Sequence, residues 1–291
     1  PYSNTRSVAE LVIAESIMLI RRIPERNQAA HHGKWMKDNN RSYELRGKTI
    51  GIVGYGHIGS QVSVLAESLG LNVIYYDIEP KLPLGNAESV DTLEKLFEQS
   101  DIITLHVPQT PETKNMITAE VFQHIKKDAI FINLSRGNVV DLEALKERIE
   151  EEHIKGAAID VYPEEPRSNY DPFTTPLQKL PNVILTPHIG GSTIEAQINI
   201  GFDVSTKLVN LMDNGSTVGS HTVPELNLPV QKDTMRLLHI HKNKPGILSA
   251  INKVFSKYDT NITGQYLKTN EKIGYVVIDF QGKNIDGLFT N

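Results

Sequence analysis

Short apolar runs alternate with helix-length amphipathic segments over the first two thirds of the chain. The runs are nearly free of charged residues, which is typical of parallel strands that are covered on both faces. Strands are predicted at 48–53, 72–76, 101–106, 129–134, 156–159 and 183–185. Helices are predicted between them at 57–69, 91–98, 118–124 and 141–151. This alternation predicts a doubly wound parallel α/β domain.

A further amphipathic segment precedes the first predicted strand. Residues 3–22 carry apolar side chains at near-helical spacing, and Ser7 with Glu10 fits a capping box, so a core-facing helix is predicted. The segment lacks the cleavage pattern of a signal peptide. Because the chain begins at Pro1 without an initiator Met, and its first segment is typical of the middle of a longer chain, we expect a fragment that lacks an N-terminal portion.

The last third of the chain has a different order of elements. Five prolines between 163 and 181 indicate a loop, and a long helix is predicted over 192–212. The pattern over 235–280 then predicts β-α-β-β, two thirds of a ferredoxin-like module, so truncation is expected at this end too. The predicted domains are a cofactor domain at 1–191, a returning helix at 192–215, a linker at 216–232 and a partial α+β domain at 233–291.

Composition narrows the possible functions. The 291 residues include 30 Lys+Arg, 35 Asp+Glu and no Cys, with a formal net charge of −5. The absence of Cys excludes disulfides, thiolate metal sites and a Cys nucleophile. The charge gives no support for binding nucleic acid or a membrane surface. The longest apolar run, at 11–20, is interrupted by Glu15 and Ser16, whereas a membrane helix needs ~20 apolar residues.

A glycine-rich turn follows the first predicted strand and opens a helix. It reads Gly54-Tyr55-Gly56-His57-Ile58-Gly59, and the next predicted strand ends just before Asp77. The three glycines would allow a tight turn, close approach of a pyrophosphate and close helix packing. The amides of His57 and Ile58 would face the phosphates. A structural turn is the alternative, but the context favours a Rossmann-type fold in which Asp77 selects NAD over NADP.

Three polar clusters follow later strands, at the edge where such a sheet binds its ligand. They are Asn133–Gly137 around Arg136, Asp160–Pro166 with two glutamates, and Thr186–Gly191 around His188. Taken singly, a loop arginine, a glutamate beside proline or a lone histidine is more often a surface or structural residue. Together they provide a guanidinium that can hold a carboxylate and a group that can transfer a proton.

The stretches GYGHIG, HVPQTPETKNMI, NLSRG, DVYPEEP and TPHIGGST resemble the motifs of the D-isomer-specific 2-hydroxyacid dehydrogenases. The HIHKNKPG stretch resembles that of family members with a C-terminal ACT domain that oxidise 3-phosphoglycerate. The resemblance implies that His188 exchanges the hydroxyl proton, that Glu165 orients it, that Arg136 holds the substrate carboxylate and that Asp160 binds the nicotinamide amide. The other implied NAD residues are Gly54, Gly56, His57, Ile58, Gly59, Asp77, Val107, Pro108, Leu134, Ser135, Gly190 and Gly191.

The same resemblance implies regulation and assembly. ACT domains of these enzymes pair edge to edge and bind L-serine, for which His241, Asn243 and Asn261 are the matching residues. A cytoplasmic homotetramer is expected, with Trp35 as one candidate interface residue. Neither a metal, nucleic acid nor a membrane is expected as a partner.

Two alternatives remain at this stage. A relative that reduces glyoxylate, hydroxypyruvate or 2-oxoglutarate would share these motifs, because the residues for the substrate phosphate would lie in the absent N-terminal portion. A co-repressor that senses NAD would also share the fold and the Arg/Glu/His set. The ACT resemblance favours the 3-phosphoglycerate enzyme over both alternatives.

Overall fold

The computed structural model describes residues 3–220, 222–230, 234–258 and 260–281. The chain divides into two compact units, Tyr2–Ile198 and Asn199–Asn291. The helix that had been predicted over 192–212 runs through this division. The finer domain boundaries that the sequence suggests stay predictions.

The first unit is built on a seven-stranded sheet in which every pairing is parallel. Its strands are β1 (Thr49–Val53), β2 (Asn72–Tyr76), β3 (Glu88–Ser89), β4 (Ile102–Leu105), β5 (Ile130–Asn133), β6 (Gly156–Ile159) and β7 (Val183–Leu185). Their order is β3-β2-β1-β4-β5-β6-β7, so the order reverses between β1 and β4. The predicted doubly wound Rossmann-type fold is therefore confirmed, and this reversal is where such sheets bind ligands.

Helices cover both faces of this sheet. They are α1 (Thr5–Ile20), α2 (Ile23–His31), α3 (His57–Ser68), α4 (Leu93–Gln99), α5 (Ala119–Phe122) and α6 (Leu142–Glu150), and α7 (Ile194–Asn214) follows β7. Ile130 and Ile132 pack with α1 and α3, whereas Phe131 packs with α4, α5 and α6. Successive strand side chains point to opposite faces, so both faces of β5 are apolar. The predicted core-facing helix α1 is confirmed.

Three local features differ from the sequence prediction. The helix α1 begins one turn before the proposed capping box, with Asn4 at its N-cap. Ser7 therefore lies within the helix, where its hydroxyl bonds Thr193 at 2.7 Å. The helix α2 was not predicted, because none of its side chains is buried and it has no apolar stripe. The strand β3 is only two residues long and carries no apolar signal.

The second unit contains the predicted β-α-β-β module. Its elements are β8 (Met235–Lys242), α8 (Ile247–Lys257), β9 (Asn261–Thr269) and β10 (Ile273–Gln281), with strand order β8-β10-β9, all antiparallel. The central strand β10 buries alternate side chains against Phe255 of α8. Asp279 of β10 is fully buried, and both its oxygens accept from Arg236 of β8, at 2.5 and 2.7 Å. This two-bond ion pair fixes the register of β8 on β10.

Candidate active site

The glycine turn between β1 and α3 is shaped by close backbone contacts. Gly54 has a φ of +91°, and a Cβ there would lie 2.5 Å from the His106 carbonyl oxygen. A Cβ at Gly59 would lie 2.2 Å from the Gly54 carbonyl oxygen. Gly56, by contrast, has no atom within 4 Å of its would-be Cβ and gives α3 no side-chain cap. The turn therefore leaves open space at a helix N-terminus, which suits a pyrophosphate.

Asp77 stands at the carboxyl end of β2 and is anchored by two backbone amides. Its Oδ2 accepts from the Tyr55 amide at 2.8 Å, and its Oδ1 accepts from the Glu79 amide at 2.9 Å. Each carboxylate oxygen keeps a second acceptor position. The carboxylate is thus held beside the glycine turn, where it suits the hydroxyls of an adenosine ribose. These features fit the predicted NAD site.

Arg136 lies in a loop that Asn133 holds together at the end of β5. The Asn133 Oδ1 accepts from the amide and the hydroxyl of Ser135, at 3.0 and 2.7 Å, and its Nδ2 donates to the Arg136 carbonyl at 3.1 Å. A Cβ at Gly137 would lie only 1.9 Å from the Tyr162 carbonyl carbon. The Arg136 loop therefore packs backbone to backbone on the loop after β6.

Asp160 joins the loop after β6 to the loop after β7. It is 1% exposed, and its Oδ1 accepts from Thr186 Oγ1 at 2.6 Å and from the Ile189 amide at 2.8 Å. Its Oδ2 accepts from the Gly190 amide at 2.8 Å. Three of about four acceptor positions are thus filled by the chain itself. Asp160 thus holds the Thr186 hydroxyl before His188 and the two backbone amides after it, which fixes the position of His188.

His188 and Glu165 are in direct contact. The His188 Nδ1 lies 2.8 Å from Glu165 Oε2, while Glu165 Oε1 accepts from the Tyr162 amide at 3.1 Å. With Nδ1–H donating to the carboxylate, Nε2 is the ring nitrogen left for proton exchange. His188 also has a φ of +55°, a left-handed conformation that costs about 1–3 kcal/mol in a non-glycine residue. Strained backbone of this kind is concentrated at functional sites.

A cavity of about 290 Å³ brings the three predicted catalytic residues together, since Arg136, Glu165 and His188 all line it. Gln109 and Tyr162 line it as well. A second cavity of about 640 Å³ adjoins the same Glu165 and His188. Gln109 was not singled out from the sequence, although its place just beyond the β4 strand end was a usable signal. The cavity offers a cation, a carboxylate and an imidazole to one small ligand.

The other predicted cofactor residues lie at the same edge of the sheet. Val107 and Pro108 follow β4, and a Val107 methyl group would lie 3.0 Å from a Cβ at Gly54. Leu134 and Ser135 are buried after β5. Gly191 packs so closely on Asn4 that a Cβ at Gly191 would lie 2.8 Å from the side-chain nitrogen Nδ2 of Asn4.

Two ionisable groups with shifted pKa values beside this edge were not predicted, the buried Glu15 and the partly buried His106. Glu15 of α1 is 1% exposed, and neither carboxyl oxygen has a hydrogen-bond partner among the described residues. Burial, and then the charge of Asp160, raises the pKa of Glu15 to about 8. His106 follows β4 and bonds Thr104 through Nε2 at 3.0 Å, and burial lowers its pKa to about 3. Burial is a tertiary property, so the residue type alone could not reveal either shift.

The three predicted effector residues are not brought together within one chain. His241 on β8 pairs with Gly274, and Asn243 follows that end of β8, where its side chain donates to the Asn270 carbonyl at 2.8 Å. Asn261 pairs with Gln281 at the opposite end of β10. The ends of strands of this length are about 25 Å apart. A site that uses all three residues therefore needs a second copy of the chain.

The described residues contain neither a candidate metal cluster nor a helix that could span a membrane. No cluster of three or more His, Cys, Asp or Glu side chains is suited to hold a metal ion in that part of the chain. None of the helices there is both long and apolar enough to cross a bilayer.

Sequence comparisons match both units of the chain. The profile of the D-isomer specific 2-hydroxyacid dehydrogenase NAD binding domain matches residues 13–190, and an AHAS small subunit-like ACT domain matches 237–288. D-3-phosphoglycerate dehydrogenase of Haemophilus influenzae is 52% identical over 290 residues, covering 100% of this chain and 71% of the relative. D-3-phosphoglycerate dehydrogenase of Escherichia coli (strain K12) is 54% identical over 281 residues, covering 97% of this chain and 68% of the relative.

Solved structures agree with the sequence matches. An NAD-dependent formate dehydrogenase from Staphylococcus aureus in complex with NAD superposes with a TM-score of 0.66 at 31% identity, covering 75% of this chain and 65% of that one. An NAD-complexed D-isomer specific 2-hydroxyacid dehydrogenase from Lactobacillus delbrueckii ssp. bulgaricus superposes with a TM-score of 0.67 at 29% identity. The match covers 74% of this chain and 69% of that one. With its NAD-binding domain and its ACT domain, the chain belongs to the D-isomer specific 2-hydroxyacid dehydrogenases, a family of NAD-dependent oxidoreductases.

Proposed function

We propose that this chain carries the catalytic and regulatory parts of an enzyme that oxidises D-3-phosphoglycerate to 3-phosphohydroxypyruvate with NAD. The observation that supports it most is the His188–Glu165 contact in the cavity that Arg136 also lines, next to a dinucleotide-type glycine turn. Relatives more than 50% identical over nearly the whole chain are named D-3-phosphoglycerate dehydrogenase. The ACT domain match favours this substrate over other 2-hydroxy acids, most of whose enzymes are expected to lack such a domain.

The three catalytic candidates divide the reaction between them. Bound NAD would supply the acceptor for the hydride that leaves C2 of the substrate. The His188 Nε2 takes the proton of the C2 hydroxyl, and Glu165 stabilises the resulting imidazolium through Nδ1. Arg136 binds the substrate carboxylate through its guanidinium and holds C2 in position. In the reverse direction His188 returns the proton to the oxygen.

Two aspartates would position the cofactor at opposite ends. Asp77 accepts from the adenosine ribose hydroxyls and disfavours a 2′-phosphate by charge repulsion. Asp160 uses its remaining acceptor position for the nicotinamide carboxamide, while its three protein hydrogen bonds keep His188 in place.

A direct assay tests this proposal in the natural full-length protein. NADH formation is followed at 340 nm with 3-phosphoglycerate, and NADH consumption with 3-phosphohydroxypyruvate, glyoxylate, hydroxypyruvate and 2-oxoglutarate. We expect kcat/KM for 3-phosphohydroxypyruvate to exceed that for the unphosphorylated acids by at least about 100-fold. A higher value for any of the others would replace the proposed substrate. Binding of NADH without any turnover would favour a sensor of NAD instead.

We further propose that L-serine binds between the ACT domains of two subunits of a cytoplasmic tetramer. The separation of Asn261 from His241 and Asn243 supports a shared site, in which each chain contributes a different end of its sheet. The Asn side chains can donate to the carboxylate of serine and accept from its ammonium.

Mixing two variants tests the shared site. Asn243→Ala and Asn261→Ala should each abolish serine binding in calorimetry. A mixed dimer of the two variants contains one site with both substitutions and one intact site. Mixing after dissociation should therefore restore up to about one site per mixed dimer. Failure of mixing to restore any binding, in dimers shown to be mixed, would contradict a site shared between chains.

A further inference from the structure

A polar cavity of about 280 Å³ lies in the first unit, away from the candidate active site. Lys155 and Asn182, which line it, immediately precede β6 and β7, whereas Asp160 and Thr186 follow the same two strands. The cavity is therefore at the amino ends of the strands, and the catalytic candidates are at their carboxyl ends. A ligand here would not compete with NAD or substrate for space.

Lys155 brings to this cavity a positive charge that has no salt-bridge partner among the described residues. Its side chain is buried at 6% exposure, and Nζ donates to the Ile20 carbonyl at 2.7 Å. Nζ also lies 4.5 Å from the centre of the Tyr43 ring. No carboxylate of the described residues lies within 4.0 Å of it, and burial lowers the pKa of Lys155 to about 8. Two of its three N–H donors remain for a ligand that carries negative charge.

Asn182 brings an unsatisfied acceptor to the same cavity. Its side chain is also 6% exposed, and its Nδ2 donates to the Lys155 and Leu19 carbonyls at 3.0 and 3.3 Å. Its Oδ1 is buried without a hydrogen-bond partner in the part of the chain that the structure describes. An unpaired buried acceptor is unfavourable, so a ligand that supplies a donor to it binds more tightly than one that does not.

The two arginines at the cavity already have carboxylate partners. Arg22 bonds Glu25, and Arg41 bonds Asp128. Their charges are compensated, so the unmet requirements of the cavity are those of Lys155 and Asn182. Lys155 and Asn182 both line the cavity, and their side chains donate to the adjacent carbonyls of Ile20 and Leu19.

We propose that this cavity binds a small carboxylate that bears a hydroxyl or amino group on the neighbouring carbon. The carboxylate accepts from the Lys155 ammonium, and the neighbouring O–H or N–H donates to Asn182 Oδ1. One half of such a ligand supplies a negative charge to Lys155, and the other half supplies a donor to the unpaired Asn182 Oδ1. The volume suits a metabolite of the size of a hydroxy or amino acid.

D-Lactate and propionate form a matched pair of probes, because they differ only by the hydroxyl group. Calorimetry is run on the 291-residue chain with Arg136→Gln, which removes binding at the candidate active site, with saturating NADH present. We expect D-lactate to bind at least about fivefold more tightly than propionate, the effect of one satisfied hydrogen bond. Lys155→Met in this background should weaken D-lactate by about 10- to 100-fold.

Lys48→Met is the control variant, because the Lys48 ammonium also lies over Tyr43, at 5.0 Å, without lining the cavity. It should bind D-lactate as the parent does. Lys155→Gln replaces Lys155→Met if thermal unfolding shows that the methionine variant is unfolded. Three results would each overturn the proposal. The Lys155 and Lys48 variants could bind D-lactate with equal affinity, or the parent could bind propionate as tightly as D-lactate. The third is the absence of binding heat for the parent at about 10 mM D-lactate.

Discussion

Replacing Gly137 with alanine should separate the catalytic candidates without removing any of them. The added Cβ would lie 1.9 Å from the Tyr162 carbonyl carbon and 2.1 Å from its oxygen, whereas ordinary contact begins near 3.4 Å. The Arg136 loop must therefore move away from the Tyr162–Glu165 loop by about 1.5 Å. Both neighbours are backbone atoms, so no side-chain rotation relieves the clash.

A displacement of this size is large for catalysis. Misplacement of reacting groups by about 1 Å costs on the order of 100-fold in rate. We expect kcat/KM of the full-length enzyme to fall by at least about 100-fold in Gly137→Ala, with a loss of about 1–3 kcal/mol in unfolding free energy from overpacking. The Kd for NADH, from protein fluorescence quenching, should change far less than kcat/KM, because the glycine turn at Gly54 is not displaced.

Gly201→Ala is the matched control. Gly201 lies within α7, and a Cβ there would have no neighbour within 4 Å. This variant should keep its activity and gain about 0.5–1 kcal/mol in stability from helix propensity. Gly137→Ala with kcat/KM within twofold of the parent enzyme would refute the dependence of catalysis on the contact between the two loops.

Three further substitutions test other parts of the structure. Asp77→Ser should raise KM for NAD at least about tenfold and improve use of NADP, and unchanged preference between NAD and NADP would remove Asp77 from cofactor selection. The pKa of Glu15 rises from 4.5 to about 8 on folding, so between these two pH values the folded state binds a proton that the unfolded state has released. Stability should fall as pH rises from 4.5 to 8, by up to about 1.4 kcal/mol per unit, and Glu15→Gln should flatten this slope in denaturant titrations. Arg236→Met leaves the fully buried Asp279 unpaired and should destabilise the second unit by about 3–5 kcal/mol, which hydrogen exchange on β10 would show.

Six of the seven strands of the first unit could be predicted because each is an apolar run with polar ends, whereas the two-residue β3 is not. The predicted bounds of β2, β6 and β7 coincide with the observed ones. The helix α2 could not be predicted, because it buries no side chain and so leaves no periodic signal. The capping box proposed at Ser7 was wrong, because α1 begins at Thr5 and a Ser-x-x-Glu pattern also occurs inside helices.

The candidate site shows the same division between local and tertiary information. Arg136, Glu165 and His188 could be grouped because each follows a strand of one parallel sheet. The supporting role of Asn133, the close approach at Gly137 and the three hydrogen bonds of Asp160 depend on contacts between loops. No spacing rule in a single sequence describes such contacts.

Proton transfer at one imidazole is the central claim, and one variant tests it most directly. His188→Gln keeps the side chain polar but cannot exchange a proton at neutral pH. We predict that kcat for 3-phosphoglycerate oxidation in the full-length enzyme falls by at least about 100-fold while the Kd for NADH stays within about twofold. A variant that retains near-normal kcat would show that His188 does not carry the proton.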